Sequence, residues 1–455
     1  MTDQETPLKD WTLKDWALYV YFAVDVPEVP LHASAIRNLV QMATIGSSNE
    51  VSVAVQIDLP GMLTRRYILP EQLEESGSSA IPPTVSIPNV NSADPRSIFD
   101  FLRWAAEKCP AQNTMLVLWG HGYGLDDYVP PGAHLHRAGQ GIDALKMIVP
   151  PERTEKFPPV ADFSTMGEHW FGGIFDFHSM EVTPNKQVAA AILSAIPSLP
   201  NAKKPAIVAW ASCEMAMAEV WSELAACADF GMASQTPVPY QDWPLDRVLR
   251  RLLLHPKSDP ETVAQMAADA FLESYANEND DYVAISAVDL SRMDTLQQVI
   301  KPLADALTDA VSQPQNLGSV FEARNYCPIF DPDGFIDLGC FCEFLKITMP
   351  HSHVSEASDR ILPALKSFVV TSGYSPQDPT KKLSQSTGLS IWFPSWIENP
   401  AVKMDEKRRS MAYLDDGYPA TAFAKATGWD KFLVAVRGAA RDARQRREHI
   451  VSHRG

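Results

Sequence analysis

Cys213 is the first residue whose type and position suggest chemistry. It follows an apolar run over residues 205–211 that has the character of a buried strand. A helix is predicted after it, because apolar residues recur there at the spacing of one buried face: Met217, Val220, Trp221 and Leu224. A thiol just before a helix N-terminus has its thiolate favoured, and the thiolate is the nucleophilic form. Cys213 is therefore a candidate nucleophile.

A second strand end carries a histidine. His121 follows the apolar run over residues 114–119 and lies between Gly120 and Gly122, which let the backbone turn tightly. The carboxyl ends of parallel strands meet at one edge of a sheet. His121 and Cys213 therefore form the dyad of a thiol enzyme if their two strands are neighbours.

The order of the predicted elements indicates such a sheet. Apolar and alternating runs predict strands at 16–24, 51–57, 114–119, 205–211, 231–235 and 282–288. Helices are predicted between most of them, including one that Asp94 caps and Pro95 begins. This alternation predicts right-handed crossovers. The predicted fold class is α/β, an αβα sandwich with a mostly parallel central sheet.

A change in the length of the predicted elements divides the chain into two regions. Residues 11–310 hold both candidate residues, and residues 311–455 have shorter elements, pack on the first region and end in a basic tail, 437–455. An insertion at about 125–172 contains proline pairs and four basic residues, Arg137, Lys146, Arg153 and Lys156. A loop of this length is uncommon unless it is functional. Its composition is typical of an exposed target for proteolysis.

Composition excludes several classes of function. The net charge of −17 argues against nucleic acid as a main partner and favours basic partners. No apolar stretch approaches the ~20 residues of a membrane span. The acidic first residues do not have the pattern of a signal peptide. Together with six scattered cysteines, this leads us to expect reduced thiols and a cytoplasmic protein.

One group of cysteines and histidines has to be considered as a metal site: Cys340, Cys342, His351 and His353. The two cysteines lie in a helix-like run, where residues two apart face different directions. Buried thiols are therefore favoured over metal ligands, and no metal is assigned. The sequence leaves a calcium requirement open.

Eight segments occur in the order of a known family's landmarks. They are Leu116–Gly124 around His121, Ala211–Ala216 around Cys213, and 233–237, 242–244, 287–290, 335–338, 388–390 and 428–433. In these segments the chain resembles the clostripain family of cysteine peptidases, which are relatives of caspases, gingipains and legumains. The resemblance extends from Trp11 to Leu433.

The resemblance implies a caspase-like fold and a peptidase with a His121/Cys213 dyad. Cys213 would attack the scissile carbonyl and His121 would manage the proton of the leaving amine. The N–H groups of Gly122 and Cys213 would hold the oxyanion. Family members typically cleave after Arg or Lys, and many are zymogens cut between His and Cys. The expected partners are protein or peptide substrates with basic cleavage sites and an upstream activating protease, in a bacterial proteolytic cascade.

The sequence departs from the family at the acidic residue two positions before the nucleophile, which is Ala211 here. A pocket for Arg or Lys needs a carboxylate, because a buried unpaired cation is costly. We expect this carboxylate from Asp242, beside Trp243, whose ring would flank the substrate side chain. Asp25, at the end of the first strand, is the second candidate, and a helix cap or loop carboxylate is its competing interpretation.

Two other functions fit the same residues. One is a catalytically weak homologue that serves as a peptide-binding scaffold, and the other is a cysteine transpeptidase that joins peptides. Labelling of Cys213 with a peptidyl electrophile separates the scaffold from both enzymes. Product analysis with an added amine separates the hydrolase from the ligase.

Overall fold

The main sheet of the protein has nine strands. The structure is a computed structural model and describes residues 13–71, 81–125, 173–179, 181–239, 243–276, 282–331, 334–375, 378, 382–394, 411 and 413–452. The strands are β1 Lys14–Ala23, β2 Val51–Asp58, β3 Thr64–Ile68, β4 Val85–Ile87, β5 Ala111–Trp119, β6 Ile174–Asp176, β7 Glu181–Thr183, β8 Ile207–Ala211, β9 Phe230–Ser234, β10 Ala284–Asp289, β11 Ile329–Asp331, β12 Phe335–Asp337, β13 Val369–Tyr374 and β14 Ser390–Trp392. Each strand predicted from the sequence overlaps one of these.

The sheet is parallel at its centre and antiparallel at its edges. Its strand order is β13-β10-β9-β8-β5-β1-β2-β3-β4. The pairs of β1 with β2 and β5, and of β8 with β5 and β9, are parallel. The four outer strands run antiparallel to their neighbours. The prediction of a mostly parallel central sheet is confirmed for the inner strands.

The helices cover both faces of this sheet. They are α1 Val29–Ile45, α2 Pro95–Lys108, α3 Asn185–Ala195, α4 Ala218–Leu224, α5 Leu245–Leu254, α6 Pro260–Ser274, α7 Met293–Val311, α8 Pro314–Tyr326, α9 Leu338–Thr348, α10 His353–Phe368, α11 Ala422–Thr427 and α12 Trp429–Ser452. Among the described residues, no helix combines the length and the apolar character needed to cross a bilayer.

Residues of β1 alternate between two cores. Tyr19 and Tyr21 pack on the side of α2, α3 and α4, and Leu18 and Val20 pack on the side of α1, α5 and α6. All four side chains are fully buried. Burial on both faces explains why the strand reads as a continuous apolar run.

The predicted cap of α2 is confirmed. The Asp94 side chain accepts a hydrogen bond from Arg96 N at 2.9 Å, and Pro95 is the first helical residue. An aspartate cap satisfies one of the free N–H groups of the first turn, and proline there lacks only an N–H that would be unpaired anyway. This local sequence therefore fixes where the helix leading into β5 begins.

The C-terminal region is joined to the main sheet. β13 pairs with β10, and β11, β12 and β14 form a small sheet of their own. The buried Glu219 on α4 accepts hydrogen bonds from Trp392 N at 3.0 Å and from the Tyr418 hydroxyl at 2.9 Å. The basic tail continues α12, where Arg437 pairs with Asp415 at 2.5 Å. The helix that follows Cys213 is thus bonded directly to the C-terminal region.

Candidate active site

The register of two neighbouring strands places the candidate dyad. β5 and β8 are parallel, and Trp119 lies opposite Ala211 as their last pair. His121 and Cys213 each come two residues after that pair. The structure therefore brings both residues to the same edge of the sheet, as the sequence predicted.

Gly122 lies directly against the cysteine loop. A Cβ atom at this position would lie 2.5 Å from Cys213 O and 2.7 Å from Ser212 Cβ. Only glycine allows the two loops to approach this closely. Within the described part of the chain, the N–H groups of Gly122 and Cys213 donate to no other protein group. The Cys213 N–H acts on its own thiol, where it opposes the rise in pKa that burial causes.

His121 contacts an acidic residue that sequence reasoning missed. Its Nε2 lies 3.3 Å from Glu28 Oε2. The Tyr123 ring stacks on the imidazole at a centroid distance of 5.8 Å, and the Tyr123 hydroxyl lies 3.5 Å from Nδ1. Burial opposes the charge of Glu28, but the hydrogen bond and charge of His121 hold the pKa of Glu28 below its ordinary value. The available signal was an acid shortly after the first predicted strand, at the same sheet edge.

The Cys213 thiol is bonded to the loop after β9. Its Sγ accepts a hydrogen bond from Val238 N at 3.2 Å and lies 3.8 Å from Val238 O. Burial, with a smaller contribution from the charge of Glu214, raises the pKa of Cys213 to about 12, although the Val238 N–H acts in the opposite direction. His121 and Cys213 are both described residues, and no hydrogen bond joins their side chains.

The expected effect of a helix N-terminus on Cys213 is not found. α4 begins at Ala218, so four residues separate Cys213 from the first helical residue. The helix dipole acts mainly within the first turn. Burial instead sets the direction of the pKa shift, which disfavours the thiolate.

The residue after Cys213 has a strained backbone. Glu214 has a φ of 60°, in the left-handed region that non-glycine residues rarely adopt. Its N–H donates to Thr236 O at 3.1 Å, and Ala216 N donates to Ser234 O at 3.0 Å. Such a conformation costs about 1–3 kcal/mol and persists where surrounding contacts hold it. The cysteine loop is therefore fixed against β9 on its far side.

The specificity residues predicted from the sequence are placed differently. Trp243 is 1% exposed, and its ring packs on Phe271 at 5.2 Å, so the indole belongs to the core instead of flanking an open cleft. Asp25 is also 1% exposed. Asp242 lies outside the described residues, as do Arg137, Lys146, Arg153 and Lys156.

Asp25 belongs to a buried cluster with Asp58 and Asp176. Their ligand oxygens lie within 4.8 Å of one another. Asn89 Nδ2 donates to Asp25 Oδ2 at 3.4 Å and to Asp58 Oδ1 at 3.3 Å. Burial and mutual repulsion raise the pKa of Asp25 to about 8, and burial raises the pKa of Asp58 to about 7. A buried Asp25 that is mainly protonated at neutral pH does not match the charged carboxylate of an open pocket.

The aspartate cluster is the one place, among the described residues, where three potential metal ligands lie so close together. Cys340, Cys342, His351 and His353, which were considered as metal ligands from the sequence, are not part of this aspartate cluster. Cys340 and Cys342 are buried, and the side chain of His353 is 93% exposed. The interpretation of the two cysteines as buried thiols is confirmed. Carboxylates alone, already bonded to neighbouring polar groups, do not define a cation site.

Solved structures of cysteine proteases share the fold. A secreted C11 cysteine protease from Bacteroides thetaiotaomicron, called iotapain, matches with a TM-score of 0.61 and 16% identity, covering 91% of this chain and 99% of that one. A secreted C11 protease from the same organism, in complex with an irreversible peptide inhibitor, matches with a TM-score of 0.60, 16% identity and the same coverage. An inactive zymogen C11 protease from Parabacteroides distasonis matches with a TM-score of 0.58 and 16% identity, again over 91% and 99%. No curated protein sequence matches the chain.

The fold is a caspase-like α/β architecture, with a central sheet that is parallel at its core and covered by helices on both faces. The family model for clostripain matches residues 191–435, which is more than half of the chain. The chain therefore belongs to the clostripain family. Cys213 lies inside the matched segment and His121 lies before it. The position of His121 beside Cys213 therefore rests on the pairing of β5 with β8 and not on the family match.

The aspartate cluster predicts a pH-dependent stability. The folded state raises the pKa of Asp25 to about 8, from about 3.9 in an unfolded chain. Its contribution to stability is therefore fully present below pH ~4 and is lost as the pH rises through about 8. We predict that Asp25→Asn stabilises the protein at pH 8 by on the order of 1–3 kcal/mol and changes stability little at pH 4.

Denaturant unfolding between pH 4 and 9 measures this effect. Asp269→Asn, an equal charge change at an exposed position on α6, is the control. An Asp25→Asn curve parallel to that of wild type at every pH would show that the cluster does not titrate as described.

Proposed function

We propose that this clostripain-family enzyme uses Cys213 and His121 as a dyad to cleave peptide bonds after Arg or Lys. The observation that carries the proposal is the register of β5 and β8, in which Trp119 pairs with Ala211 and each candidate follows two residues later. The close approach of Gly122 to Cys213 supports it, because it holds the two loops together.

The proposed reaction proceeds by acyl transfer. The Cys213 sulfur attacks the carbonyl carbon of the scissile bond after its proton has passed to His121, and the N–H groups of Gly122 and Cys213 donate hydrogen bonds to the oxyanion. His121 gives a proton to the amine as the C–N bond breaks, leaving a thioester on the enzyme. His121 then takes a proton from water as the water attacks the thioester. This step releases the carboxylate product and restores the thiol.

We propose that the uncut chain is a zymogen and that cleavage between His121 and Cys213 activates it. The state of the thiol supports this proposal, since a Cys213 with a pKa of about 12 is protonated at neutral pH and bonded to Val238. The proposed cleavage sites are Arg137, Lys146, Arg153 and Lys156, which the enzyme itself or an upstream protease would cut. The Parabacteroides distasonis protein of the same fold is described as an inactive zymogen.

We further propose that the enzyme acts in a bacterial cytoplasm, within a proteolytic cascade. All six cysteines are free, and the five other than Cys213 are buried. Free thiols are typical of a reducing compartment, which supports the proposal. The Bacteroides thetaiotaomicron proteins of the same fold are described as secreted. Cell fractionation with an antibody against the chain separates the two locations.

The dyad proposal predicts that Cys213→Ala and His121→Ala each abolish turnover of an Arg-containing fluorogenic peptide. The double variant should be no worse than either single variant, because the two residues act as one unit. A peptidyl electrophile should label Cys213 in the wild type. This labelling should be absent from the Cys213→Ala variant.

Cys109→Ala is the matched control, since Cys109 lies just before the opposite end of β5. Turnover by a folded Cys213→Ala protein would exclude Cys213 as the nucleophile. Absence of labelling in wild-type protein that has been cut between residues 126 and 172 would favour the scaffold function, and peptide ligation to an added amine would favour the transpeptidase.

The activation proposal predicts that active preparations are cut between residues 126 and 172. Replacing Arg137, Lys146, Arg153 and Lys156 together by Gln should keep the chain intact and its activity low. Mass spectrometry reports the cleavage sites, and the Cys213→Ala protein distinguishes self-cleavage from cleavage by another protease. An active enzyme whose 126–172 segment is unbroken would contradict the proposal.

The specificity proposal assigns the carboxylate for basic side chains to Asp242. Asp242→Asn should lower kcat/KM for peptides with Arg or Lys before the scissile bond by on the order of 10²-fold, or ~3 kcal/mol. Peptides with a neutral residue there should lose far less. Asp25→Asn is the control, because the buried Asp25 is expected to leave the ratio of the two rates unchanged. An equal loss for both peptides would make Asp242 a structural residue.

A further inference from the structure

We infer that Glu28 is a positioning residue that orients the His121 imidazole, so that the dyad works as a relay of three side chains. The inference rests on the proposed function of His121 and Cys213. It starts from the 3.3 Å separation between Glu28 Oε2 and His121 Nε2. The contact joins two loops that follow different strands, β1 and β5, at the same edge of the sheet.

The Glu28 carboxylate interacts mainly with His121. Its Oε2 atom is buried, and the hydrogen bond and charge of His121 lower the pKa of Glu28 more than its own backbone N–H and the charge of His32 do. The imidazole of His121 is therefore its near partner. A buried carboxylate oxygen without a donor is costly, so a partner that carries positive charge at this position is stabilised.

The backbone of Glu28 is held by the first turn of α1. Leu31 N donates to Glu28 O at 3.0 Å, and the His32 ring bonds Val26 O at 2.5 Å. Burial lowers the pKa of His32, so this ring stays neutral and serves as a structural bond. The loop that carries Glu28 is therefore fixed independently of His121.

The contact determines which nitrogen of His121 reacts. A carboxylate at Nε2 favours the proton on that nitrogen. Nδ1, with the Tyr123 hydroxyl 3.5 Å away, is then the nitrogen that exchanges protons with the thiol and the substrate. The Tyr123 ring stacks on the imidazole and restricts the orientation of the imidazole plane. When Nδ1 takes up a proton, the adjacent carboxylate stabilises the imidazolium. Glu28 remains charged at neutral pH, because His121 holds its pKa below the ordinary value against the effect of burial.

The test compares Glu28→Gln, Glu28→Asp and the wild type after activation. Loss of the charge should lower kcat by about 10- to 100-fold while KM changes less than about 3-fold. The alkaline limb of the kcat/KM profile should move to lower pH, because the imidazolium loses its anionic neighbour. Glu28→Asp keeps the charge and should recover part of both effects.

A second readout does not need turnover. The rate of Cys213 alkylation by iodoacetamide, measured against pH, reports the thiolate that His121 stabilises, and its midpoint should shift in Glu28→Gln. The matched control is Glu322→Gln, at an exposed position on α8. Thermal unfolding verifies that each variant is folded.

The outcomes separate the two proposals. If the wild type neither cleaves peptides nor labels at Cys213, the proposed function fails and the inference fails with it. Another outcome is an active wild type together with a folded Glu28→Gln that has the same kcat and the same two pH profiles as the wild type. In that case only the positioning role is overturned. Equal losses in Glu28→Gln and Glu28→Asp, without a shift of either profile, would also overturn it, because they would indicate a purely structural contact.

Discussion

The parallel pairing of β5 with β8 is the interaction on which the active site depends. Both strands are buried on both faces, and Leu118 and Trp210 face one core while Val117 and Ala209 face the other. A slip of one residue would turn each of these side chains into the wrong core. The register that packing enforces also places His121 and Cys213 at equal distances beyond the last paired residues of their two strands. Packing in the sheet interior therefore sets the chemistry at its edge.

The loops beyond these strands are held by contacts from elements far apart in sequence. The buried Asp337 accepts hydrogen bonds from Gln235, next to β9, and from Thr387 in the C-terminal region. Ser390 N donates to Ala216 O at 2.8 Å, close to Cys213. Buried polar groups that are fully bonded specify one arrangement of the segments that they join. The region after residue 311 is thus part of what supports the cysteine loop.

Much of this could be predicted from the sequence, because the signals are local. Apolar runs identified the inner strands. The ends of two of them were identified by the glycines beside His121 and by the end of the apolar run before Cys213. The direction of β10 could not be read in this way. The chain passes through α5 and α6 after β9, and the two helices return it to the end of the sheet where β9 finishes, so β10 begins beside Ser234 and runs antiparallel. Partners such as Glu28 with His121, or Trp243 with Phe271, depend on tertiary packing that no local pattern encodes.

The state of the thiol defines what the proposed activation would have to change. Each unit of pKa is worth about 1.4 kcal/mol, so a Cys213 with a pKa of about 12 holds its thiolate several kcal/mol above the neutral form at pH 7. The Val238 N–H already favours the thiolate, so burial and the charge of Glu214 dominate. The strand register and the contact of Gly122 fix the backbone on both sides. The side chain of Cys213 and the loop of Val238 remain adjustable. In the proposed activation, turning the sulfur from that loop toward the imidazole would favour the thiolate without any rearrangement of the sheet.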